Sequence, residues 1–193
     1  MPRRTLAAHT LSMLSTGALN VRSSVPPGWR PHLARVSVYA LSCFFYSAVG
    51  IHGLALFARC SSAVANWPAQ VAIVEALLVT AQGCWSFSSD VLYVGLSSRM
   101  HVVDRCSAIA LTALQLLKFG VVVRLTVAEA LWIWSGIGAA IFCKLKGYRA
   151  LLGGTAADFR LWHTLWHASL PLAVGGFNEW RWQQARAGEG CSV

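Results

Sequence analysis

The sequence predicts an all-α fold, a multi-pass transmembrane helix bundle of about five spans. Hydrophobic residues make up 56% of the 193 positions and charged residues only 12%, against about 25% charged in an ordinary soluble domain. The mean hydropathy is +0.54. The apolar residues also fall into runs of membrane-spanning length, separated by short polar gaps. A soluble fold with so little polar surface could not cover its own core.

Five apolar runs follow one another along the chain, at about 36–57, 68–92, 106–123, 125–142 and 161–177. The fifth is short and contains Pro171, which predicts a broken helix there. These runs divide the chain into a basic, disordered N-terminal tail (1–35), the bundle (36–178) and a C-terminal tail (179–193). An Arg-rich, acid-free start is also typical of an organelle transit peptide, and this alternative stays open for residues 1–35.

The basic residues indicate a membrane partner rather than a nucleic acid. The chain has 16 Lys and Arg, 7 Asp and Glu, and a net charge of +9. The basic residues lie between the apolar runs and do not form an interleaved basic and aromatic face. With the N-terminus inside, 11 of them lie on the cytosolic side and 4 on the other side. This bias predicts a cytosolic N-terminus and membrane lipid as the partner.

Two histidines in the last apolar run, His163 and His167, are the first candidates for chemistry. They are four residues apart, so on a helix they share one face. Imidazoles at this spacing can bind one zinc ion, and a catalytic zinc needs a third protein ligand and an open position. Asp90 ends the second run and Asp104 opens the third, both on the same side of the membrane as the histidines. An ionisable residue at such a depth indicates a site.

The pattern of these residues resembles that of a membrane hydrolase superfamily, which includes alkaline ceramidases and progestin and adiponectin receptors. Its members carry a Ser with a His one turn later on helix two, an Asp opening helix three, and a His-x-x-x-His on the last helix. Here Ser89, Asp104, and the pair His163 and His167 occupy the matching positions. The resemblance implies a zinc-dependent hydrolase of lipid amides or esters. In that reading Asp104 and Ser89 are catalytic.

The chain departs from the family pattern at the third metal ligand. Tyr93 stands where the family has a histidine. His101 is the predicted replacement ligand, and direct ligation by Asp90 or Asp104 is the alternative. The departure also favours a second function, a non-catalytic membrane scaffold or lipid-binding subunit with the same bundle. In that case the histidines pack at the membrane interface and Asp104 caps its helix.

A second polar group lies deeper in the spans. Glu75 in the second run and Lys118 in the third are expected to neutralise each other inside the bundle. Gly136 and its small neighbours in the fourth run predict close helix packing.

Overall fold

A computed structural model describes residues 19–35, 37–59 and 69–189, and they are almost entirely helical. No strand occurs among them, and only an isolated bridge joins Arg22 and Ser97. The predicted all-α bundle is therefore confirmed. The helical segments are Pro27–Trp29, Arg30–Leu33, Ser37–Ser42, Phe45–Arg59, Ala69–Phe87, Ser88–Leu92, Met100–Leu117, Lys118–Val122, Val127–Gly153 and Ala156–Glu189.

Five long helices are built from these segments. Their bounds are α1 (Ser37–Ser42 with Phe45–Arg59), α2 (Ala69–Phe87), α3 (Met100–Leu117), α4 (Val127–Gly153) and α5 (Ala156–Glu189). A π-helical turn extends α2 over Ser88–Leu92 and another extends α3 over Lys118–Val122.

Within the described residues, four helices are long and apolar enough to cross a membrane: Val38–Arg59, Val71–Leu92, Met100–Val122 and Val127–Gly153. These helices indicate an integral, multi-pass membrane protein. The predicted fifth span, at about 161–177, is not among the four. It lies in α5, a single 34-residue helix that runs through Pro171, and its histidines and tryptophans make it less apolar than the other spans. The predicted C-terminal tail is helical as far as Glu189, because α5 continues through it. Residues 190–193 lie outside the described part.

The helices pack in the order α3–α2–α1–α5–α4, with α4 packed mainly on α5 and α3 mainly on α2. Neighbours in this row follow one another antiparallel, apart from α1 and α5, which run parallel. The starts of α1, α3 and α5 therefore meet the ends of α2 and α4. We call this end of the bundle the site end.

Residues 19–35 pack against the site end, whereas the sequence predicts a disordered tail there. The backbone of Ser23 donates to the Leu96 carbonyl and that of Ser98 to the Val21 carbonyl. Leu33 is fully buried. The Arg105 guanidinium donates to the carbonyls of this segment at 2.7 and 2.9 Å. These hydrogen bonds to the loop after α2 and to Arg105 of α3 hold residues 19–35 against the bundle. Composition alone does not predict such contacts. The first 18 residues of the predicted tail lie outside the described part.

Small residues bring the helices close together at two crossings. A Cβ on Gly136 of α4 would lie 2.2 Å from the Cβ of Ala173 on α5, which confirms the predicted close packing. At the crossing of α1 and α2, a Cβ on Gly50 would lie 2.3 Å from Thr80 Oγ1 and 2.6 Å from the Ala76 carbonyl. The α2 backbone thus occupies the space that any larger residue at position 50 needs.

The opposite end of the bundle contains a buried ion pair. Lys118 Nζ lies 2.9 Å from Glu75 Oε1 and 3.0 Å from Oε2. Gln115 donates to the same carboxylate at 2.7 Å. The predicted pairing of Glu75 and Lys118 is therefore confirmed. It joins α2 to the π turn of α3.

We expect Gly50→Ala to destabilise the protein by about 1–3 kcal/mol, because the added methyl group overpacks the crossing of α1 and α2. The matched control is Gly138→Ala on α4, where a Cβ meets nothing within 4 Å. Alanine is the better helix former by up to about 1 kcal/mol, so the control should be neutral or stabilised. Thermal unfolding in detergent measures both. Equal effects of the two variants would contradict the assigned crossing.

We expect Lys118→Met to cost about 3 kcal/mol or more, because it leaves the Glu75 carboxylate buried without its countercharge. The double variant Glu75→Leu, Lys118→Met should regain most of that loss, since it removes both charges. His52→Ala is the control, because His52 pairs with Glu179 at 3.0 Å on an exposed surface, where such pairs contribute about 1 kcal/mol or less. Chemical or thermal unfolding in detergent reads out all three. Additive losses in the double variant would show that the pair does not act as one unit.

Candidate metal centre at the site end

The centre of the site end is the carboxylate of Asp90, which two histidines share. His163 Nε2 lies 2.8 Å from Asp90 Oδ2 and His167 Nε2 lies 3.4 Å from the same oxygen. The His163 and His167 side chains are 9% and 0% exposed, and that of Asp90 is 17% exposed. Asp90 reaches them because it lies in the π-helical turn Ser88–Leu92 that ends α2. Single π turns are frequent at functional sites.

His163 has a well-defined role beside Asp90. A carboxylate oxygen only accepts, so His163 Nε2 donates to it. The ring is held between Phe159, at 4.8 Å between ring centroids, and Tyr39, at 5.7 Å. The imidazole therefore fixes the position of the carboxylate.

Ser42 fixes the ring state of His167. The Ser42 hydroxyl donates to the Tyr39 carbonyl at 2.7 Å, so its oxygen is free to accept from His167 Nδ1 at 3.3 Å. With the hydrogen on Nδ1, Nε2 of the neutral ring presents a lone pair to the Asp90 carboxylate. This nitrogen is buried and makes no hydrogen bond within the part of the chain that the structure describes. A lone pair facing an anion requires a cation, either a proton on Nε2 or a metal ion.

Cys43 completes a set of three ligand atoms. One atom each from Cys43, Asp90 and His167 lie within 4.8 Å of one another. Cys43 is fully buried and lies next to Ser42 on α1. Thiolate, carboxylate and imidazole groups are all ligands of transition metals. These three residues could hold a metal ion.

Asp104 lies beside this group in a separate hydrogen-bond network. Its Oδ1 accepts from Ser86 Oγ at 2.6 Å and from Gln82 Nε2 at 2.8 Å. Gln82 in turn accepts from Ser107. Asp104 is inside α3, whose first residue is Met100, so it does not cap that helix. One carboxylate oxygen is thus held firmly by neighbours on α2.

Ser89 and His101 bond to each other. His101 Nε2 faces the Leu96 and Tyr93 carbonyls at 2.9 and 3.2 Å, so it carries a hydrogen. Nδ1 of the neutral ring is then the acceptor for Ser89 Oγ at 2.8 Å, and the same hydroxyl also lies 3.3 Å from Asp90 Oδ1. Both nitrogens of His101 are engaged in this way, and neither faces the Asp90 carboxylate.

The structure therefore brings together some of the sequence-predicted residues and separates others. His163 and His167 meet an aspartate, which is Asp90 rather than Asp104. The sequence named Asp90 only as an alternative ligand. Cys43 was missed, because a lone cysteine in an apolar run has no spacing signal. Ser86 was also missed, although it stands four residues before Asp90, a spacing that places two helical side chains on one face.

A buried hydroxyl is available near these groups. Tyr39 is fully buried and its hydroxyl has no hydrogen-bond partner within the described residues. Its ring packs on His163, and its hydroxyl is a donor that a bound water or substrate oxygen could use.

Comparison with known proteins gives no family for the chain. No protein-family model, curated protein or solved structure matches it.

Proposed function

We propose that the protein is a metal-dependent membrane hydrolase, with zinc as the metal and a lipid amide or ester as the substrate class. The observation that carries this proposal is the buried Nε2 of His167, which makes no hydrogen bond within the described residues although it lies 3.4 Å from Asp90 Oδ2, with Cys43 nearby. Three ligands of mixed N, O and S type, which leave one position open, are typical of catalytic rather than structural zinc sites.

The resemblance to the ceramidase and progestin-receptor superfamily supports the same function when Ser86, rather than Ser89, is aligned with the family's serine. Ser86 precedes Asp90 by one turn and bonds Asp104. Ser86, Asp104, and the pair His163 and His167 then fill the family's positions, and Asp90 stands where the family has its third histidine. A carboxylate is an accepted zinc ligand, so this substitution is compatible with metal binding.

The residues fit a division of labour in hydrolysis. Zinc held by Cys43, Asp90 and His167 would supply Lewis-acid activation of a water molecule and of the substrate carbonyl. Asp104, held through Oδ1 by Ser86 and Gln82, would accept a proton from the water and return it to the leaving amine or alcohol. The Tyr39 hydroxyl is placed to donate to a substrate oxygen. In the overall reaction the acyl carbon gains the water oxygen, and the bond to nitrogen or ester oxygen breaks.

A second candidate function is a non-catalytic scaffold or lipid-binding subunit. It is favoured by one observation: His163 Nε2 lies 2.8 Å from Asp90 Oδ2 and donates to it. With His167 protonated as well, the two histidines would satisfy the Asp90 carboxylate without a metal. The site would then be a structural ion-pair cluster. Metal content separates the two functions.

We expect protein purified in detergent to contain about one zinc ion per chain. His167→Ala and Asp90→Asn should each abolish the metal, and Cys43→Ser should weaken its binding by at least tenfold, since each removes a ligand. Plasma mass spectrometry and a competing chelator measure this. His52→Ala and Cys84→Ser are the matched controls, because both residues are exposed and remote from the site.

Folded wild-type protein that stays metal-free after incubation with zinc at neutral pH would favour the scaffold function. Circular dichroism of each variant separates loss of the metal from loss of the fold. Metal retained by His167→Ala would also overturn the ligand set.

A further inference from the structure

The packing order of the helices leaves a seam between α3 and α4. The two helices follow one another in the chain, but they lie at opposite ends of the row α3–α2–α1–α5–α4 and hardly contact each other directly. Near their connecting loop, Phe119 and Val123 join Ile133, Ile137 and Phe177 in one apolar core. That core closes the seam at the loop end. Toward the site end no comparable cluster of described residues joins the two helices.

Lys144 of α4 stands in this seam. Its side chain is exposed, yet it interacts electrostatically with Asp90 of α2 and with Asp104 and Arg105 of α3. The Lys144 ammonium group is therefore at the surface of the chain and within electrostatic range of the buried carboxylates. Its Nζ lies 3.6 Å from the centroid of the Trp166 ring, and Trp166 stands between His163 and His167 in the sequence of α5.

The surroundings of Lys144 are basic. Arg149 and Arg160 lie on α4 and α5 toward the same end, and Lys146 Nζ lies 5.6 Å from the centroid of the Trp162 ring. None of these cations forms an ion pair with a carboxylate in the described part of the chain. A lysine at a membrane face is stabilised when an anionic lipid headgroup approaches it. The charge at this mouth is therefore complementary to a lipid phosphate.

We infer that the seam between α3 and α4 admits a phospholipid with an anionic headgroup, and that Lys144 binds its phosphate. This inference rests on the proposed function, because it names the substrate class of that same site. The lipid enters from the bilayer. Its acyl chains lie along the open seam, and its phosphate binds Lys144 beside Trp166. Arg105 donates to residues 20–24, so we assign the phosphate to Lys144, the other described cation within electrostatic range of Asp90 and Asp104.

The test is lipid binding to the full chain in detergent, measured by native mass spectrometry with phosphatidic acid and with phosphatidylcholine of the same acyl chains. We expect the wild type to prefer phosphatidic acid. Lys144→Gln should weaken phosphatidic acid binding about fivefold, the factor that corresponds to the ~1 kcal/mol contributed by one lysine near anionic lipid. Lys144→Arg should retain the preference, and Lys146→Gln should weaken binding less than Lys144→Gln, because its ammonium group lies over Trp162 rather than beside the site at Trp166.

Three results would overturn the inference: no preference for phosphatidic acid, equal weakening by Lys144→Gln and Lys146→Gln, or displacement of the lipid by inorganic phosphate at a few millimolar. The last would assign the site to a soluble phosphate. The zinc content of Lys144→Gln should equal that of the wild type, since Lys144 is not a ligand. A metal-free wild type that still prefers phosphatidic acid through Lys144 would contradict the proposed hydrolase and support the lipid site.

Discussion

The site end depends on how one carboxylate, Asp90, is accommodated inside an apolar bundle. An aspartate at the centre of a spanning helix costs about 2.5–3.5 kcal/mol on insertion scales. Asp90 lies near the end of its span, Val71–Leu92, so its cost is smaller, and its partners must offset it. Both partners come from one helix face, since His163 and His167 are a turn apart on α5 and both direct Nε2 to the same oxygen. The carboxylate thereby ties the end of α2 to α5, two helices that are separated in the packing row by α1.

The neighbouring groups hold this arrangement from the α1 side. Ser42 and Cys43 lie at the point where α1 is interrupted between its two helical segments. Ser42 sets the ring state of His167, and the Cys43 sulfur lies within 4.8 Å of a His167 ring nitrogen. A histidine whose second nitrogen is held by a hydrogen bond is the usual arrangement around protein metal ions, because that bond fixes the ring. Three helices thus each contribute one ligand atom, and the protein's folded packing brings those atoms together.

The sequence predicts the bundle better than it predicts the site, for a physical reason. Apolar runs of spanning length are stable in a membrane as helices, so the sequence predicts the helices directly. The opposite charges of Glu75 and Lys118 are stable inside the bundle only as a pair, so their contact is also predictable. The site depends on helix register instead. Asp90 lies in the π turn at the end of α2, from which it reaches α5. No residue spacing in the sequence predicts where a π turn occurs. Cys43 is 124 positions from His167 in the chain, so only the folded packing of α1 against α5 relates them.

The distance between His167 Nε2 and Asp90 Oδ2 also favours the proposed metal ion over a proton between these two groups. A proton on Nε2 would give an ordinary ion pair, but Nε2 and Oδ2 are 3.4 Å apart, longer than the usual charge-assisted hydrogen bond of about 2.7–2.9 Å. The shorter bond goes to His163, at 2.8 Å. The Cys43 thiol donates to the Tyr39 carbonyl at 3.8 Å, and an ion pair makes no use of its sulfur as a ligand. A cation bound by all three accounts for the nitrogen, the carboxylate and the sulfur together. The open fourth position of such a site would then require an approach path, and the lipid entry proposed beside Lys144 would provide one.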